Sequence, residues 1–177
     1  MTVLESERML FRPHEPDDLE AYCAMEMDAE VRRYVGGTPR TRETAEERFR
    51  RGLGRPVIDR LGMWATVLKA ESSYIGRCGL YPHFKGETPV PGEAALGIYL
   101  ARAYWGRGLA TEATRAFVGF GFEQLGVARI VTAIQVENAA SVRIFEKLGF
   151  LLVKTEVGAR SFYHFELLNP ASRLAAK

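Results

Sequence analysis

One segment constrains this chain more than any other: a glycine-containing turn that joins an apolar stretch, residues 96–100, to an amphipathic helix. It reads Tyr104-Trp105-Gly106-Arg107-Gly108-Leu109-Ala110-Thr111-Glu112-Ala113. The first amides of a helix lack intrahelical partners and lie at the positive end of the helix dipole. Glycines, which have no Cβ, let an anion approach such amides closely. The segment therefore predicts an anion site whose ligand carries phosphate groups.

The spacing of this loop argues against the two best-known nucleotide-binding loops. A Walker loop requires Gly-Lys-Ser/Thr, which this chain lacks. A dinucleotide fingerprint would require a third glycine at position 111, where Thr111 stands, and an acidic residue near positions 129–132, where there is none. A nucleotide-binding domain stays open as an alternative, which preferential binding of ATP or NAD would reveal.

Two blocks of the chain resemble the GNAT superfamily of acetyl-CoA-dependent N-acetyltransferases. The family's phosphate loop reads Gln/Arg-x-x-Gly-x-Gly/Ala, which Gly108 and Ala110 match and Trp105 does not. The wider sequence Tyr-Trp-Gly-x-Gly-x-Ala-Thr-Glu-Ala is similar to the Rim-type branch, which acetylates ribosomal-protein N-termini. Residues 137–150 resemble the family's Asn-x-x-Ser helix, which ends in Lys-Leu-Gly-Phe. The resemblance spans about residues 8–168 and implies an α/β (α+β) fold, with a mixed, mostly antiparallel central sheet splayed at the cofactor site and helices on both faces.

The resemblance also implies where acetyl-CoA binds. Backbone amides of the loop would hold its pyrophosphate, and the strand before the loop would pair with its pantetheine, with an amide near Ile98 or Tyr99 facing the thioester oxygen. Arg107 or Arg102 is placed to reach a phosphate oxygen, although Arg107 can equally face solvent. The implied cofactor-binding residues are Ile98, Tyr99, Leu100, Gly106, Arg107, Gly108, Leu109, Ala110, Thr111 and Asn138. The resemblance implies no metal.

The general base is harder to place. Related N-terminal acetyltransferases often carry Glu on this strand in a Glu-Ile-Gly pattern, where this chain has Ala95-Leu96-Gly97. Glu93 lies two residues earlier on the same strand face, so it is the predicted base, acting directly or through a water. The alternative is that Glu93 is simply an exposed acid at the junction between loop and strand, with no catalytic role. His83, on a predicted loop, is the second candidate because its ordinary pKa suits amine deprotonation near neutrality.

The general acid is also atypical. Many GNAT enzymes place Tyr seven residues after the Asn, and this chain has Phe145 there, which has no proton to donate. Ser141 lies on the first turn of the same helix and is the predicted donor to the leaving sulfur. The alternative is structural, with Asn138 as the helix N-cap and Ser141 as its partner in the first turn. The two interpretations are compatible, because an asparagine can cap with its oxygen and donate with its amide.

Length and composition predict a single domain, residues 1–177, that buries about 70% of its unfolded surface and needs no disulfide or metal. The formal net charge is +2, and the one basic run, residues 48–51, belongs to a mixed-charge helix, so no nucleic-acid partner is expected. Cys23 and Cys78 are expected to be buried fillers. Without an apolar run of roughly 20 residues or a signal peptide, we expect a cytoplasmic protein with no membrane partner.

Hydrophobic periodicity predicts strands at residues 8–12, 64–68, 74–80, 96–100, 130–136, 150–157 and 160–168. Helices are expected from residue 16 to 25, at 28–34, at 42–53 after a Thr41 cap, at 109–125 and at 138–148. Residues 81–92 contain three prolines and are expected to form a loop, either a substrate lid or an ordinary solvent loop. The strand-helix-strand succession over residues 96–136 implies parallel pairing, with the ligand at the carboxyl ends of the strands.

Together these features favour an N-acetyltransferase that moves the acetyl group of acetyl-CoA directly to a primary amine. The branch-level resemblance points to a protein N-terminal α-amine as the acceptor. Two alternatives stay open: a small-molecule amine acetyltransferase and a non-catalytic acyl-CoA-binding module, which the absent Glu at Ala95 and the absent Tyr at Phe145 motivate. A homodimer is compatible with the sequence, but no residue demonstrates one.

Overall fold

A computed structural model describes residues 2–53 and 60–174, which form a mixed α/β fold with one eight-stranded sheet. The strands are β1 Leu4–Glu5, β2 Met9–Arg12, β3 Trp64–Leu68, β4 Ser73–Lys85, β5 Thr88–Leu100, β6 Arg129–Gln135, β7 Leu151–Glu156 and β8 Phe162–Leu168. The helices are α1 Leu19–Met27, α2 Ala29–Arg33, α3 Arg42–Gly52, α4 Leu109–Gly119, α5 Ala139–Lys147 and α6 Pro170–Leu174. Short 3-10 turns cover Pro16–Asp18 and Arg102–Tyr104, and a π-helical turn, Phe120–Gln124, extends α4.

The sheet has the order β1-β2-β3-β4-β5-β6-β8-β7, and its pairs are antiparallel except for β5 with β6. This mostly antiparallel arrangement with one parallel pair confirms the predicted fold class. The connection from β5 to β6 runs through α4, as the strand-helix-strand succession predicted. Because β5 and β6 run in the same direction, their carboxyl ends point to the same edge of the sheet, and the loop before α4 opens there.

The prediction of a loop at residues 81–92 is wrong. These residues continue β4 and β5 as a long hairpin, in which Tyr81 pairs with Ala95 and Lys85 pairs with Thr88. Three prolines suggested a loop because proline cannot donate to a strand ladder. Here they are tolerated because β3 pairs with β4 only as far as Cys78, and β6 pairs with β5 only from Glu93, so the hairpin tip extends beyond its neighbours.

The core lies between the sheet and α4. The predicted apolar face of this helix is buried, and Phe117 packs edge-on against Phe11 of β2, with 4.8 Å between ring centroids. Burying side chains of this size stabilises a fold by roughly 1.5–3 kcal/mol each. Cys23 and Cys78 are also buried and unpaired, as predicted, and burial raises the pKa of the Cys78 thiol to about 12. The Cys78 thiol therefore stays protonated.

The basic run at residues 48–51 lies on α3, which Thr41 caps as predicted by accepting a hydrogen bond from the Thr44 amide. Within the run, Phe49 is buried, and Arg50 pairs with Glu46 at 2.7 Å, one helical turn earlier. This arrangement is typical of a solvated helix face. None of the helices in the described ranges is long and apolar enough to cross a membrane.

A buried ion cluster joins α1, α2 and β4. Glu26, which is 1% exposed, accepts hydrogen bonds from Arg77 Nη2 at 2.6 Å, Arg40 Nε at 2.7 Å and Arg32 Nη1 at 3.3 Å. The Arg77 guanidinium also lies 5.2 Å from the ring centroid of Tyr99 on β5. One buried carboxylate is therefore shared among three guanidiniums, beside the strand that leads into the predicted phosphate loop.

Candidate active site

A continuous cleft of about 840 Å³ opens where β5 and β6 diverge. Its walls come from the glycine loop with the start of α4, the diverging strands, single residues of β4 and β8, the start of α5, and α2 with the loop after it. The predicted cofactor residues Ile98 to Leu100, Gly106, Gly108 to Thr111 and Asn138 all line this cleft, together with Ser141. The structure therefore brings together, in one cleft, the two segments on which the family resemblance rests: the glycine loop and the start of α5.

The loop between β5 and α4 has the geometry of an anion site. Gly106 and Gly108 adopt the left-handed backbone conformation, with φ of 71° and 76°. Space for a Cβ at Gly106 is open, with no heavy atom of another segment within 4 Å. Because α4 begins at Leu109, its first amides point out of the helix end towards the cleft. The backbone here suits a phosphate group, as the sequence predicted.

Aromatic and charged side chains hold the loop in place. The Trp105 indole Nε1 donates a 2.7 Å hydrogen bond to the Leu100 carbonyl, which ties the loop to the end of β5. Arg107, predicted to reach a phosphate or to face solvent, lies over the Tyr104 ring and 3.5 Å from a Glu71 oxygen. Its side chain is 46% exposed, and its role towards the cofactor stays a prediction.

Arg8, which does not line the cleft, also supports the loop, through contacts that no sequence motif signals. Arg8 Nη1 donates to the Arg107 carbonyl at 2.9 Å, and Arg8 Nε donates to Glu112 on α4 at 2.7 Å. Glu112 also accepts from the Arg8 amide and from Ser6. Burial alone would raise the pKa of Glu112, but these hydrogen bonds outweigh it and lower that pKa. The carboxylate thus stays ionised and fixes the position of the loop against β2.

The two central strands separate after a short paired stretch. Backbone pairing between β5 and β6 covers Glu93 to Ala95, and beyond it Thr132 Oγ1 donates to the Leu96 carbonyl at 3.1 Å. The carbonyls of alternate residues point to the same strand edge, so the N–H and C=O of Ile98 face the same opening as the Leu96 carbonyl. This is the splay implied by the resemblance, and Ile98 lies where an amide facing the thioester was predicted.

The start of α5 is built as the sequence predicted. The Asn138 side-chain oxygen accepts a 3.2 Å hydrogen bond from the Ser141 amide, which makes Asn138 the N-cap. Both residues line the cleft. Phe145, at the position where a donor was expected, is buried and packs edge-on against Phe150. Ser141 carries the hydroxyl group on the first turn of this helix, and its role as proton donor stays a prediction.

Glu93 lies in an ion cluster beside the cleft. Its carboxylate contacts Arg129 of β6 and His83 Nδ1, each at 2.7 Å, and Arg129 also pairs with Glu166 at 2.8 Å. Burial alone would raise the pKa of Glu93, but the hydrogen bonds from Arg129 and His83 outweigh it and lower that pKa. Neither Glu93 nor His83 is among the cleft-lining residues. Their roles as base stay predictions, and the geometry leaves Glu93 a route only through water.

The end of the cleft away from the glycine loop is lined mainly by uncharged side chains, and we call it the acceptor end. Tyr34 and Val35 come after α2, Tyr81 lies on β4, and Phe162 begins β8. Burial raises the pKa of Tyr81 to about 12, so its hydroxyl stays protonated near neutral pH. Among the described residues, no group of three or more His, Cys, Asp or Glu side chains could hold a metal ion.

Sequence comparison places the chain among acetyltransferases. Residues 8–151 match the family model described as Acetyltransferase (GNAT) domain. The uncharacterized N-acetyltransferase p20 of Bacillus licheniformis is 28% identical over 151 residues, which cover 85% of this chain and 83% of the relative. The putative ribosomal N-acetyltransferase YdaF of Bacillus subtilis (strain 168) is 25% identical over 150 residues, covering 82% and 79%.

Solved structures share the fold. An acetyltransferase of the GNAT family from Bacillus anthracis superposes with a TM-score of 0.81 at 23% identity, covering 96% of this chain and 99% of its own. A spermidine N-acetyltransferase from Vibrio cholerae, solved in complex with CoA and spermine, gives a TM-score of 0.74 at 17% identity, covering 92% and 96%. Both similarities extend over nearly the whole chain.

Proposed function

The chain belongs to the GNAT acetyltransferase family, and from that premise we propose that its acceptor is the α-amine of a protein N-terminus. As a member of the family it is an acetyl-CoA-dependent N-acetyltransferase. Acetyl-CoA supplies the activated acetyl group as a thioester. The choice of acceptor depends on which amine can be neutral, and therefore nucleophilic, in this cleft.

The observation that carries the proposal is the character of the ionisable groups in the cleft. Among the described lining residues there is no histidine, and the carboxylates, Glu30 and Glu137, are accessible to solvent. The Glu30 side chain is 44% exposed. A base able to take a proton from a strongly basic ammonium needs a raised pKa, which burial supplies. Neither carboxylate is buried in this way.

An N-terminal α-amine needs less help from a catalytic base to become neutral than a lysine-type amine does. The ordinary pKa of an α-amino group is about 7.7–8.0, whereas that of a lysine-type amine is about 10.4. At pH 8 about half of the α-amine is already neutral, compared with less than about 1% of the lysine-type amine. A cleft whose described lining has no histidine and no buried carboxylate therefore favours the α-amine as nucleophile.

The charged side chains near the acceptor end fall into two groups. Arg32, Arg40 and Arg77 are held by the buried Glu26, and Arg160 bonds the Arg33 carbonyl; none of these guanidiniums lines the cleft. The described charged side chains that do line it are the carboxylates Glu30 and Glu137. The choice of acceptor therefore rests on which amine is neutral, not on the charge of the cleft lining.

A small-molecule amine is the second candidate acceptor. The fold similarity to a spermidine N-acetyltransferase crystallised with spermine favours it, while the relative named a putative ribosomal N-acetyltransferase favours the protein acceptor. The primary amines of a polyamine resemble a lysine amine, so their small neutral fraction near pH 8 weighs against a polyamine.

Four groups of the cleft and its border have assigned roles in the transfer. The amides from Gly106 to Thr111 bind the pyrophosphate, and the Ile98 amide faces the thioester oxygen. As the amine nitrogen bonds to the acetyl carbon and the C–S bond breaks, Ser141 donates a proton to the departing sulfur and regains one from solvent. Glu93 receives the amine proton through water, since it lies three residues, about 10 Å of strand, before Leu96, where the cleft lining on β5 begins. Because a free thiol has a pKa of about 8.5, the leaving group needs modest assistance.

The acceptor is tested by measuring kcat/KM for thiol release with three kinds of amine at pH 8. These are peptides with a free α-amine, the same peptides with a blocked α-amine and a free lysine, and spermidine. We expect the free α-amine to be preferred at least about 100-fold, the ratio of the neutral fractions. We also expect kcat/KM to rise with pH through an inflection near pH 8, the acceptor's own pKa, and to level off about one pH unit above it.

The blocked peptides are the matched control, since they keep the same side chains. Faster acetylation of spermidine or of the lysine would contradict the proposed acceptor. If the inflection of the pH profile shifts when peptides with a different α-amine pKa are used, that shift would support the proposed acceptor. An inflection that stays fixed for all acceptors would instead indicate an enzyme group that titrates near neutral pH.

Ser141→Ala and Glu93→Gln test the assigned catalytic roles. We expect Ser141→Ala to lower kcat about 10-fold and Glu93→Gln to lower it about 10–100-fold, with acetyl-CoA affinity changed less than about twofold. If neither variant alters turnover, both assignments are wrong, and weaker acetyl-CoA binding would indicate a structural role instead.

A further inference from the structure

Arg160, in the turn between β7 and β8, joins three parts of the chain around the acceptor end. Its Nη2 donates to the Arg33 carbonyl at the end of α2, at 3.0 Å, across 127 residues of sequence. With the Gln135 amide turned so that its oxygen faces the guanidinium, that oxygen accepts from Arg160 Nε at 2.9 Å and from Nη2 at 3.1 Å. Gln135 is the last residue of β6, lines the cleft and is 6% exposed.

The same guanidinium lies against the backbone of Gly37. A Cβ at Gly37 would lie 2.2 Å from Arg160 Nη2, and the residue adopts φ of +83°, a conformation that suits glycine. Its neighbour Gly36 is similar, since a Cβ there would lie 2.3 Å from Arg32 Nη2. Two successive glycines thus each accommodate a guanidinium, one from α2 and one from the distant hairpin.

These contacts fix one wall of the acceptor end. Tyr34, Val35 and Gly36 line the cleft from the loop after α2, while Gln135 and Phe162 line it from the sheet. Arg160 is the residue that connects the loop with the sheet through side-chain hydrogen bonds at this point. Without it, the loop keeps its internal support from Arg32, whose Nε donates to the Thr38 carbonyl at 3.3 Å, but loses its link to the sheet.

We propose that Arg160 is a positioning residue that sets the width of the acceptor end, and so decides how bulky an acceptor the enzyme admits. The inference rests on the use of an amine acceptor in this cleft, as the proposed function has it, but it does not depend on which amine is preferred. Arg160 acts through the Tyr34–Gly36 wall and does not take part in the proton transfers. A planar guanidinium suits this role because it can bond Gln135 and the Arg33 carbonyl at once.

The test compares Arg160→Ala with the unchanged protein on acceptors of graded size. Each acceptor pair differs only in the bulk next to the reacting amine, such as peptides with glycine or tryptophan in the second position. We expect the KM for the slim acceptor to rise about tenfold, with kcat and acetyl-CoA affinity changed less than about twofold. The preference in kcat/KM should shift about fivefold or more towards the bulky acceptor.

Three further variants separate this role from a general loss of structure. Arg160→Lys keeps the charge but not the two-way hydrogen bonding, so it should not restore the slim-acceptor preference. Gly37→Ala should displace the guanidinium and reproduce the shift by a second route. Lys154→Ala removes a cation of the same hairpin that pairs with Glu156 on its own strand, and it should leave acceptor KM and selectivity unchanged.

An Arg160→Ala protein that unfolds at the same temperature and keeps both the KM and the size preference would overturn the proposal. So would an equal shift in Lys154→Ala. If the proposed function fails because small amines outperform peptides, the size comparison is made with small amines of graded bulk. Failure of the Arg160 proposal and failure of the proposed acceptor are therefore distinguishable.

Discussion

Gly106→Glu is expected to weaken acetyl-CoA binding strongly. The new side chain starts in open space within the cleft, at a backbone position with φ of 71°, and places a carboxylate beside the amides assigned to the pyrophosphate. Two like charges about 5 Å apart repel by roughly 3 kcal/mol at the effective dielectric of a protein surface. We therefore expect the dissociation constant to rise at least about 100-fold by calorimetry.

Two other glycines provide the comparison for this variant. Gly126 also has a left-handed backbone, with φ of 65° and open space for a Cβ, but it does not line the cleft, so Gly126→Glu carries the same strain and charge elsewhere. It should bind acetyl-CoA normally. At Gly108 the Cβ would lie 3.5 Å from Arg8 Nη2, so the Gly108→Glu carboxylate has a cationic partner and should weaken binding less. Equal affinity of Gly106→Glu and the unchanged protein would contradict the phosphate loop assignment.

Glu26→Gln is expected to cause the largest loss of stability. The substitution keeps the side-chain shape but leaves three guanidiniums around a neutral group that is nearly inaccessible to water. Removing one partner of a buried ion pair typically costs about 3–5 kcal/mol. Since small domains are stable by about 5–15 kcal/mol, this loss can unfold a large fraction of the protein at moderate temperature. Urea unfolding measures the change.

The matched control for that variant is an exposed ion pair on α3. Glu47→Gln removes a carboxylate that is 69% exposed and pairs with Arg51, and we expect a change of about 0.5 kcal/mol or less. Adding Arg40→Gln to Glu26→Gln should recover part of the lost stability, because it removes one of the unbalanced cations. If Glu26→Gln unfolds at the same urea concentration as the unchanged protein, the ion cluster is not a stabilising element.

Local signals in the sequence predicted most of the fold. The period of α4 and the capping residues Thr41 and Asn138 depend on neighbours within a few positions, and the structure places all of them as predicted. The hairpin over residues 81–92 was missed for a specific reason. Its prolines argue against a strand unless the neighbouring strands end early, and that depends on where β3 and β6 stop pairing.

The candidate site was predictable in part. The glycine loop and the start of α5 are continuous segments with recognisable spacing, so both could be assigned to one cleft from the sequence. Arg8 and Arg160 could not, because their partners lie 104 and 127 residues away and neither belongs to a motif. The ion pairing of Glu93 was equally hidden, since Arg129 is brought beside it by the one parallel strand pair.

That ion pair has a mechanical consequence. Glu93 and Arg129 join β5 and β6 at the first of their paired residues, and the strands diverge after Ala95. A small change in angle at this junction is amplified along the strands, so it alters the separation between Ile98 and the opposite strand more than the separation at the junction itself. The Glu93–Arg129 pair therefore lies at the closed end of the opening, where it joins the two strands just before they diverge.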